Sequence, residues 1–158
     1  MQIRQLMNQP PVTCRPTDSL NLAAGLMWDH DCGALPVVDD AERVVGVITD
    51  RDICMAAYTQ GSPIHAVPVA NVMSKDVYTI GPSDSIENAE TIMRARQVRR
   101  LPVVDGEGHA LGMLTLSDLV QESTREVGRR KREITDAEVA TTLAAVCAPR
   151  RPVSLVQA

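Results

Sequence analysis

The pentapeptide LPVVD stands at residues 35–39 and again at residues 101–105. The second copy begins 66 positions after the first (101 against 35). The same offset relates further pairs: PTDSL at 16–20 and PSDSI at 82–86, Gly46 and Gly112, Thr49 and Thr115, Asp52 and Asp118. Because one offset holds without an insertion from about residue 5 to residue 55, the chain contains two homologous units in tandem.

Each unit has the pattern of a strand, a helix, two strands and a second helix. The first extended segment contains Thr13 or Thr79, and Asp18 or Asp84 then stands where a helix N-cap is preferred. Apolar residues follow at helical spacing: Leu20, Ala23, Ala24 and Met27 in the first unit, and Ile86, Ala89 and Met93 in the second. The runs ALPVVD and RVVGVIT, with their repeats RLPVVD and ALGMLT, are typical of short strands. We therefore expect an α+β fold made of two βαββα units.

Composition narrows the class of protein. The 158 residues are 44% hydrophobic and 23% charged, with no Phe and one Trp, as expected of a globular chain with an aliphatic core. The formal net charge of −4 argues against nucleic-acid binding. No apolar stretch approaches the roughly 20 residues of a membrane span, and residues 1–11 lack the apolar core of a signal peptide. We expect a cytoplasmic protein that does not enter a membrane.

The four cysteines form no C-x-x-C pair, which favours a reducing compartment. The offset pairs three of them with aliphatic residues: Cys14 with Ile80, Cys32 with Val98, and Cys54 with Val120. We interpret all three as small core hydrophobes. A redox or metal sensor built on Cys14, Cys32 and His30 stays open as an alternative, although the spacing is not a zinc pattern and we assign no metal site.

Residues 121–158 lie outside the repeat. The charged run at 123–133 is typical of a solvated linker or helix face. Thr135 and Glu138 then form the pattern of a capping box. The apolar stripe that follows consists of Val139, Leu143 and Val146. We expect a helix over roughly 135–148 that either folds back on the two units or docks on a partner subunit.

The sequences GVITDRD (46–52) and GMLTLSD (112–118), preceded by GALPVVDD and RRLPVVDG, resemble the cystathionine β-synthase (CBS) domain family. The resemblance covers residues 5–122 and is to a tandem pair of such domains. It implies that the two units pack through their sheets as a pseudo-two-fold module with two clefts between them. It also implies an adenosyl ligand, such as AMP, ADP, ATP, NAD or S-adenosylmethionine, and pairing of modules into a disc-like homodimer.

On this basis we divide the chain into four parts: 1–60 is the first CBS repeat, 61–71 a linker, 72–122 the second CBS repeat, and 123–158 a basic linker with the C-terminal helix and tail. We expect a nucleotide-sensing module that regulates an unidentified partner protein, because the chain shows no catalytic, channel or DNA-binding motif. A ligand-free structural or stress-response protein is the alternative. Asp50 and Asp52 suggest a catalytic pair, but the repeat mate of Asp50 is Leu116, so we do not expect an enzyme.

The resemblance assigns binding roles to Thr49 and Asp52 and to their mates Thr115 and Asp118. At this motif position the Asp accepts hydrogen bonds from a ribose cis-diol, as acidic residues do in other nucleotide folds. The Thr hydroxyl can donate to phosphate or ribose, and free N–H groups at the helix start suit a phosphate. An ordinary N-terminal helix cap is the alternative for each residue, and both roles can coexist.

Gly46 and Gly112 in the same motif allow close approach to the backbone. The segments around 12–13, 34–36, 78–79 and 100–102 would supply an apolar slot for adenine. The complete set of expected ligand-binding residues is Thr13, Ala34, Leu35, Pro36, Thr49, Arg51, Asp52, Thr79, Arg99, Arg100, Leu101, Pro102, Thr115 and Asp118.

Three arginines make the two units unequal. The offset pairs Arg51 with Ser117, Arg99 with Gly33, and Arg100 with Ala34. A solvated surface position is the alternative for each of them. Because a guanidinium strengthens phosphate binding, we expect a phosphate-bearing ligand to prefer one of the two clefts.

Overall fold

The computed structural model describes residues 1–128 and 132–149, so the C-terminal tail and part of the basic linker lie outside the described residues. The helices are α1 (Leu20–Asp29), α2 (Asp50–Gln60), α3 (Ile86–Arg96), α4 (Leu116–Arg125) and α5 (Asp136–Cys147). The strands are β1 (Ala34–Val38), β2 (Val44–Thr49), β3 (Arg100–Val104) and β4 (Ala110–Thr115). Within the described ranges, no helix combines the length and the apolar character needed to cross a bilayer.

Each unit contains one antiparallel strand pair, and the predicted α+β order is confirmed. The register is the same in both pairs, including a shift after Val37 in β1 and after Val103 in β3. The predicted first strand of each unit is reduced to one parallel bridge, from Cys14 to Val37 and from Ile80 to Val103. Prolines near both bridge residues explain this, because proline has no N–H to donate to a ladder.

The helix starts differ by one residue from the prediction. Ser19 caps α1 and Ser85 caps α3, each accepting a hydrogen bond from a first-turn N–H. Asp18, one of the two predicted caps, instead accepts from the Arg15 N–H at 2.7 Å and closes the preceding turn. Its mate Asp84 does the same, at 2.8 Å from the Gly81 nitrogen. The prediction of Asp caps was wrong because a neighbouring serine takes that position.

Two aliphatic cores form, one in each unit, and each is completed by a segment from elsewhere in the chain. Ile3, at the N-terminus, is fully buried among the residues of the second unit. Val69, which precedes the second unit, is fully buried in the core of the first. The same exchange continues at the sheet edges, where Asn8 pairs with Met113 and Ser74 pairs with Val47. Each unit therefore depends on the other for one edge of its fold.

The two hairpin loops meet at the pseudo-two-fold axis. Arg43 and His109, which are repeat mates, form an antiparallel bridge with each other. The Val44 N–H donates to the Gly108 carbonyl at 3.0 Å, and the Ala110 N–H donates to the Glu42 carbonyl at 3.3 Å. A residue can pair with its own mate only near the axis, so these loops locate it.

Helix α5 is confirmed, with the predicted capping box between Thr135 and Glu138. It folds back on α3 and α4. The Arg94 guanidinium donates to the Thr142 hydroxyl at 2.9 Å, and that hydroxyl donates to the buried Glu90 carboxylate at 3.1 Å. Burial raises the pKa of Glu90, and this hydrogen bond partly opposes the rise. The second unit therefore carries an added helix, held by a buried polar chain.

Candidate functional site

A cleft of about 930 Å³ opens between the two units beside Asp52, and we call it the Asp52 cleft. The end of β2 and the start of α2 form one side, and residues 76–78 with 97–102 of the second unit form the other. The last turn of α5 and Ala148 form a third wall. The predicted binding residues that line it are Thr49, Arg51, Asp52, Arg99, Arg100 and Pro102.

Thr49 and Asp52 form a reciprocal cap at the start of α2. Oδ2 of Asp52 accepts from the Thr49 backbone N–H at 2.9 Å and from the Thr49 hydroxyl at 2.7 Å. The Asp52 N–H in turn donates to the Thr49 oxygen at 3.2 Å. No described residue donates to Oδ1 of Asp52, and Asp52 lines the cleft. The cap therefore uses one oxygen of the carboxylate and leaves the other available as an acceptor.

The helix start offers a ligand fewer N–H groups than its position suggests. The Asp50 N–H donates to the Gly33 carbonyl at 3.3 Å, and the Arg51 N–H donates to the Asp50 carboxylate at 2.7 Å. The Asp52 N–H is held by Thr49. The expectation of free N–H groups for a phosphate is therefore wrong for the first turn of α2, since local acceptors already satisfy all three.

The arginines provide the cationic side of the cleft. Arg51, Arg99 and Arg100 come from both units, yet all of them line this one cleft. Arg99 reaches the Cys147 sulfur at 3.6 Å, a weak contact. Within the described residues, no hydrogen bond or ion pair engages the side chains of Arg51 and Arg100. The site can therefore attract a phosphate through guanidinium groups rather than through the helix backbone.

The segment 78–79 was expected to border an adenine slot, whereas the wall formed by Gln97 and the end of α5 was not predicted. Tyr78, not its neighbour Thr79, lines the cleft, and the Arg96 guanidinium lies 4.7 Å from the centre of the tyrosine ring. Gln97 also lines it and donates from its amide to the Ala145 and Ala148 carbonyls. Gln97 and the α5 wall had no signal within the repeat.

Gly33 lies next to the side chains of Asp50 and Arg100, an acid and a base of the cleft. A Cβ atom at Gly33 would stand 2.8 Å from Oδ2 of Asp50 and 2.9 Å from a terminal nitrogen of Arg100. The mate of Gly33 is Arg99, so the absence of a side chain at position 33 leaves room for Arg100. This role was visible only as an unexplained difference between the repeats.

The repeat offset places a counterpart of the cleft around Thr115 and Asp118, and we call it the Asp118 site. Oδ2 of Asp118 accepts from the Thr115 N–H and hydroxyl, both at 2.7 Å, so the cap is reproduced. The Asn8 side-chain amide also lies 3.0 Å from Oδ1 and 3.1 Å from Oδ2. Neither oxygen of Asp118 is therefore left without a donor.

The remaining predicted residues fall in three environments. Leu35 and Leu101 are fully buried core residues, so their side chains serve packing. Ala34 and Pro36 are also buried, whereas Thr13 is half-buried. Thr79 is exposed and is not among the residues that line the Asp52 cleft.

The motif glycines admit protein rather than ligand, which corrects the role expected for them. A Cβ at Gly46 would lie 2.6 Å from the Met73 sulfur, and a Cβ at Gly112 would lie 2.6 Å from the Asn8 carbonyl oxygen. Both contacts are made by the segments that the units exchange. The glycines are needed because these segments cross directly over the strands.

The cysteines lie in three environments. Cys14 is buried in the first core, where burial, with a smaller contribution from Asp18, raises the pKa of its thiol to about 12. Cys32 is half-buried, and burial raises its pKa as well, so both thiols stay protonated at neutral pH and react slowly. Cys54 is exposed on the outer face of α2, so its interpretation as a core residue was wrong. His30 is exposed, and the described residues hold no cluster of three metal-ligating side chains.

Comparison with known proteins identifies the family. The CBS domain family model matches residues 3–58 and 69–125. The CBS domain-containing protein YhcV of Bacillus subtilis is 36% identical over 117 residues, which are 74% of this chain and 81% of YhcV. The two matched segments coincide with the two structural units, apart from the residues that join them.

Solved structures show the same fold. The structure of CBSX2 in complex with AMP has a TM-score of 0.69 at 26% identity, covering 81% of this chain and 98% of that one. Hypoxic Response Protein I, solved with two coordinated zinc ions, has a TM-score of 0.70 at 30% identity, covering 77% of this chain and 98% of that one. The chain belongs to the CBS domain family and contains two CBS domains in tandem.

Proposed function

We propose that the Asp52 cleft binds an adenosine nucleotide and that binding regulates a partner protein. The observation that carries the proposal is the pairing of an open Asp52 oxygen with Arg51, Arg99 and Arg100 in one cleft. A carboxylate oxygen can accept from a ribose hydroxyl, and guanidinium groups can hold a phosphate. CBSX2, a protein of the same fold, binds AMP, which supports this ligand class.

The nucleotide fits the cleft in size and polarity. A volume of about 930 Å³ lies within the range of small-molecule sites. Tyr78 and Pro102 offer apolar surface for a base, while the cations lie nearer the start of α2 and β3. The Thr49 hydroxyl, which donates to Asp52 in the cleft, serves as a helix cap, and the role we propose is regulatory and not catalytic.

Contact with other chains is a further part of the proposal. Large apolar side chains are exposed on the first unit, with Trp28 on α1 at 86% and Tyr58 on α2 at 84%. These helices support a homodimer through the first unit, while α5 covers α3 and α4 of the second unit. The four free cysteines suit the reducing cytoplasm as the site of action.

Titration calorimetry with AMP, ADP and ATP tests the nucleotide site, with light scattering on the same samples to record the oligomeric state. We expect AMP to bind and to raise the melting temperature, since a ligand specific for the folded state stabilises it. Asp52→Ala removes the acceptor for ribose and should weaken binding by about tenfold or more. Asp118→Ala loses an equivalent cap together with the contact to Asn8, so its loss of stability sets an upper limit on the capping contribution. If no nucleotide at millimolar concentration binds or shifts the melting temperature, the proposal fails.

A further inference from the structure

We infer that Asn8 closes the Asp118 site, so that the chain binds one nucleotide rather than two. The inference rests on the proposed function at the Asp52 cleft and specifies which copy of the motif performs it. Asn8 lies 110 positions from Asp118, in a segment that the repeat does not mark as part of a binding site. Its carboxamide stands where a ribose hydroxyl would have to donate.

The hydrogen-bond capacity of the two carboxylates shows the difference. At Asp52, Oδ2 accepts two hydrogen bonds and Oδ1 accepts none from described residues. At Asp118, Oδ2 accepts from Thr115 twice and from Asn8, and Oδ1 also accepts from Asn8. Each carboxylate oxygen has about two acceptor positions. A cis-diol can therefore use Oδ1 of Asp52, whereas at Asp118 it must displace the amide.

The backbone holds Asn8 in place independently of its side chain. The Asn8 N–H donates to the Met113 carbonyl at 2.9 Å, and the Met113 N–H donates to the Asn8 carbonyl at 3.1 Å. Gly112 allows this crossing, since a side chain there would strike the Asn8 oxygen. Because the backbone is already fixed, the amide competes with a free ligand at a high effective concentration.

The repeat provides a natural control at the mate of Asn8, which is Ser74. The Ser74 backbone pairs with Val47 in the same two-way manner, at 2.9 and 3.0 Å. The Ser74 side chain makes no hydrogen bond to Asp52, and Ser74 lines the open cleft. A serine hydroxyl extends one heavy atom beyond Cβ and a carboxamide extends further, so Asn8→Ser copies the open arrangement onto the second unit.

The opened Asp118 site would still differ from the Asp52 cleft in charge. By the repeat offset, Ser117, Gly33 and Ala34 correspond to the three arginines of the Asp52 cleft. We therefore expect a ligand at the opened site to be held through its nucleoside part. Adenosine and AMP should bind there with similar affinity, whereas at the Asp52 cleft AMP should bind more tightly than adenosine.

Titration calorimetry of the full chain with AMP and with adenosine tests the inference by stoichiometry. The wild type should bind one AMP per chain, and Asp118→Ala should leave that number at one. Asn8→Ser should bind a second AMP. The affinity of its Asp118 site should be about tenfold to a hundredfold higher than in the wild type, because AMP no longer has to displace hydrogen bonds to the carboxylate. The double variant Asn8→Ser with Asp118→Ala should return to one.

The outcomes separate the inference from the function on which it rests. Two AMP per wild-type chain, with one lost in Asp118→Ala, overturns closure by Asn8 and leaves nucleotide binding intact. One AMP in both the wild type and Asn8→Ser also overturns it, because another feature then closes the site. If the wild type binds none and Asn8→Ser binds one in an Asp118-dependent manner, closure holds and the assignment to Asp52 fails. Binding by neither chain rejects both statements.

Discussion

The Asp52 cleft and the Asp118 site share one scaffold and differ in what reaches it from the rest of the chain. In both, the Thr N–H and hydroxyl hold one Asp oxygen at 2.7–2.9 Å, and the helix begins in the same way. Around Asp52 the neighbours are arginines and the short side chain of Ser74. At Asp118 the neighbour is the amide of Asn8.

If the proposal holds, the motif builds a site without deciding whether a nucleotide occupies it. The Thr and Asp are retained in both copies because they also cap a helix, which stabilises each unit whether or not a ligand binds. The proposed occupancy depends on residues that the other unit contributes, such as Asn8 and Arg100. A repeat analysis therefore locates candidate sites, and the exchanged segments distinguish them.

The largest effect is expected from the motif glycines. Gly112 packs against residues 7–8 of the first unit, and Gly46 packs against residues 73–74 of the second unit. Gly112→Ala would place a Cβ 2.6 Å from a backbone oxygen of Asn8, and backbone cannot move without breaking the Met113 pairing. Gly46→Ala would instead meet the Met73 sulfur first, at the flexible part of a side chain. We expect Gly112→Ala to lower the free energy of unfolding by about 3 kcal/mol and Gly46→Ala by about 1 kcal/mol. Urea denaturation of both variants measures this.

The two glycine variants control for each other, because they add one methyl group at equivalent positions of the two strand pairs. Movement of the Asn8 segment in Gly112→Ala should also release Asp118, so AMP titration of this variant is informative. Equal losses of stability would mean that the Asn8 segment is seated no more rigidly than its counterpart. That result would remove the structural basis of the comparison.

The next effect is the contribution of the arginines to phosphate binding. Arg100 is half-buried in the cleft, and its guanidinium has no hydrogen-bond or ion-pair partner among the described residues. We expect Arg100→Ala to weaken AMP binding by about 2 kcal/mol, roughly thirtyfold, because a charge-assisted hydrogen bond is lost. Adenosine, which has no phosphate, should bind as before. Calorimetry with both ligands gives the two values.

Ser117→Arg is the matched control, since it copies Arg51 onto the second unit. While Asn8 occupies Asp118, this added cation should leave AMP binding unchanged. If Arg100→Ala weakened the binding of AMP and of adenosine to a similar extent, Arg100 would shape the cleft rather than hold the phosphate. The contrast in charge between the two sites would then have no functional meaning.

Local features of the fold were predictable from the sequence, and long-range ones were not. The LPVVD strands, the helices and the capping box at Thr135 depend on neighbouring residues, and the structure confirms them. The contact between Asn8 and Asp118 spans 110 positions and has no local signal. The presence of Arg51 and Arg100 in one cleft also has no local signal, because it depends on how the two units are placed relative to each other.

Two errors have a common cause. The motif glycines and the Asp50 N–H were interpreted as open to a ligand, whereas Asn8, Met73 and the Gly33 carbonyl already use them. A sequence shows which backbone groups lack a partner in their own element. It does not show which partners arrive from elsewhere, and buried or crowded groups nearly always find one. The capping hydrogen bonds of Thr49 and Asp52, by contrast, were predictable because they are local.

The smallest effect is expected at the axis, where Asp39 and its mate Asp105 contact different basic side chains in the two hairpin loops. Asp39 binds the Arg43 side chain at 2.9 Å, and its mate Asp105 binds Nδ1 of His109 at 2.8 Å. The pKa of His109 is raised above 6.5, chiefly by its hydrogen bond to Asp105 and further by the Asp105 and Glu107 charges, while desolvation and Arg43 oppose the rise. The second loop is thus held by a charge that pH can remove, and the first loop by a charge that stays.

The sign of the pH effect follows from that raised pKa. His109 contributes stability that is fully present below its unfolded pKa of 6.5 and is lost as the pH rises through its higher folded value. We expect His109→Arg, which copies the first loop, to lose less stability than the wild type between pH 6 and pH 8. Urea unfolding of both proteins at these two pH values measures the difference, and the histidines common to both cancel in the comparison. An identical pH dependence would mean that the Asp105 contact is too exposed to distinguish the loops, which would then be energetically equivalent despite their different residues.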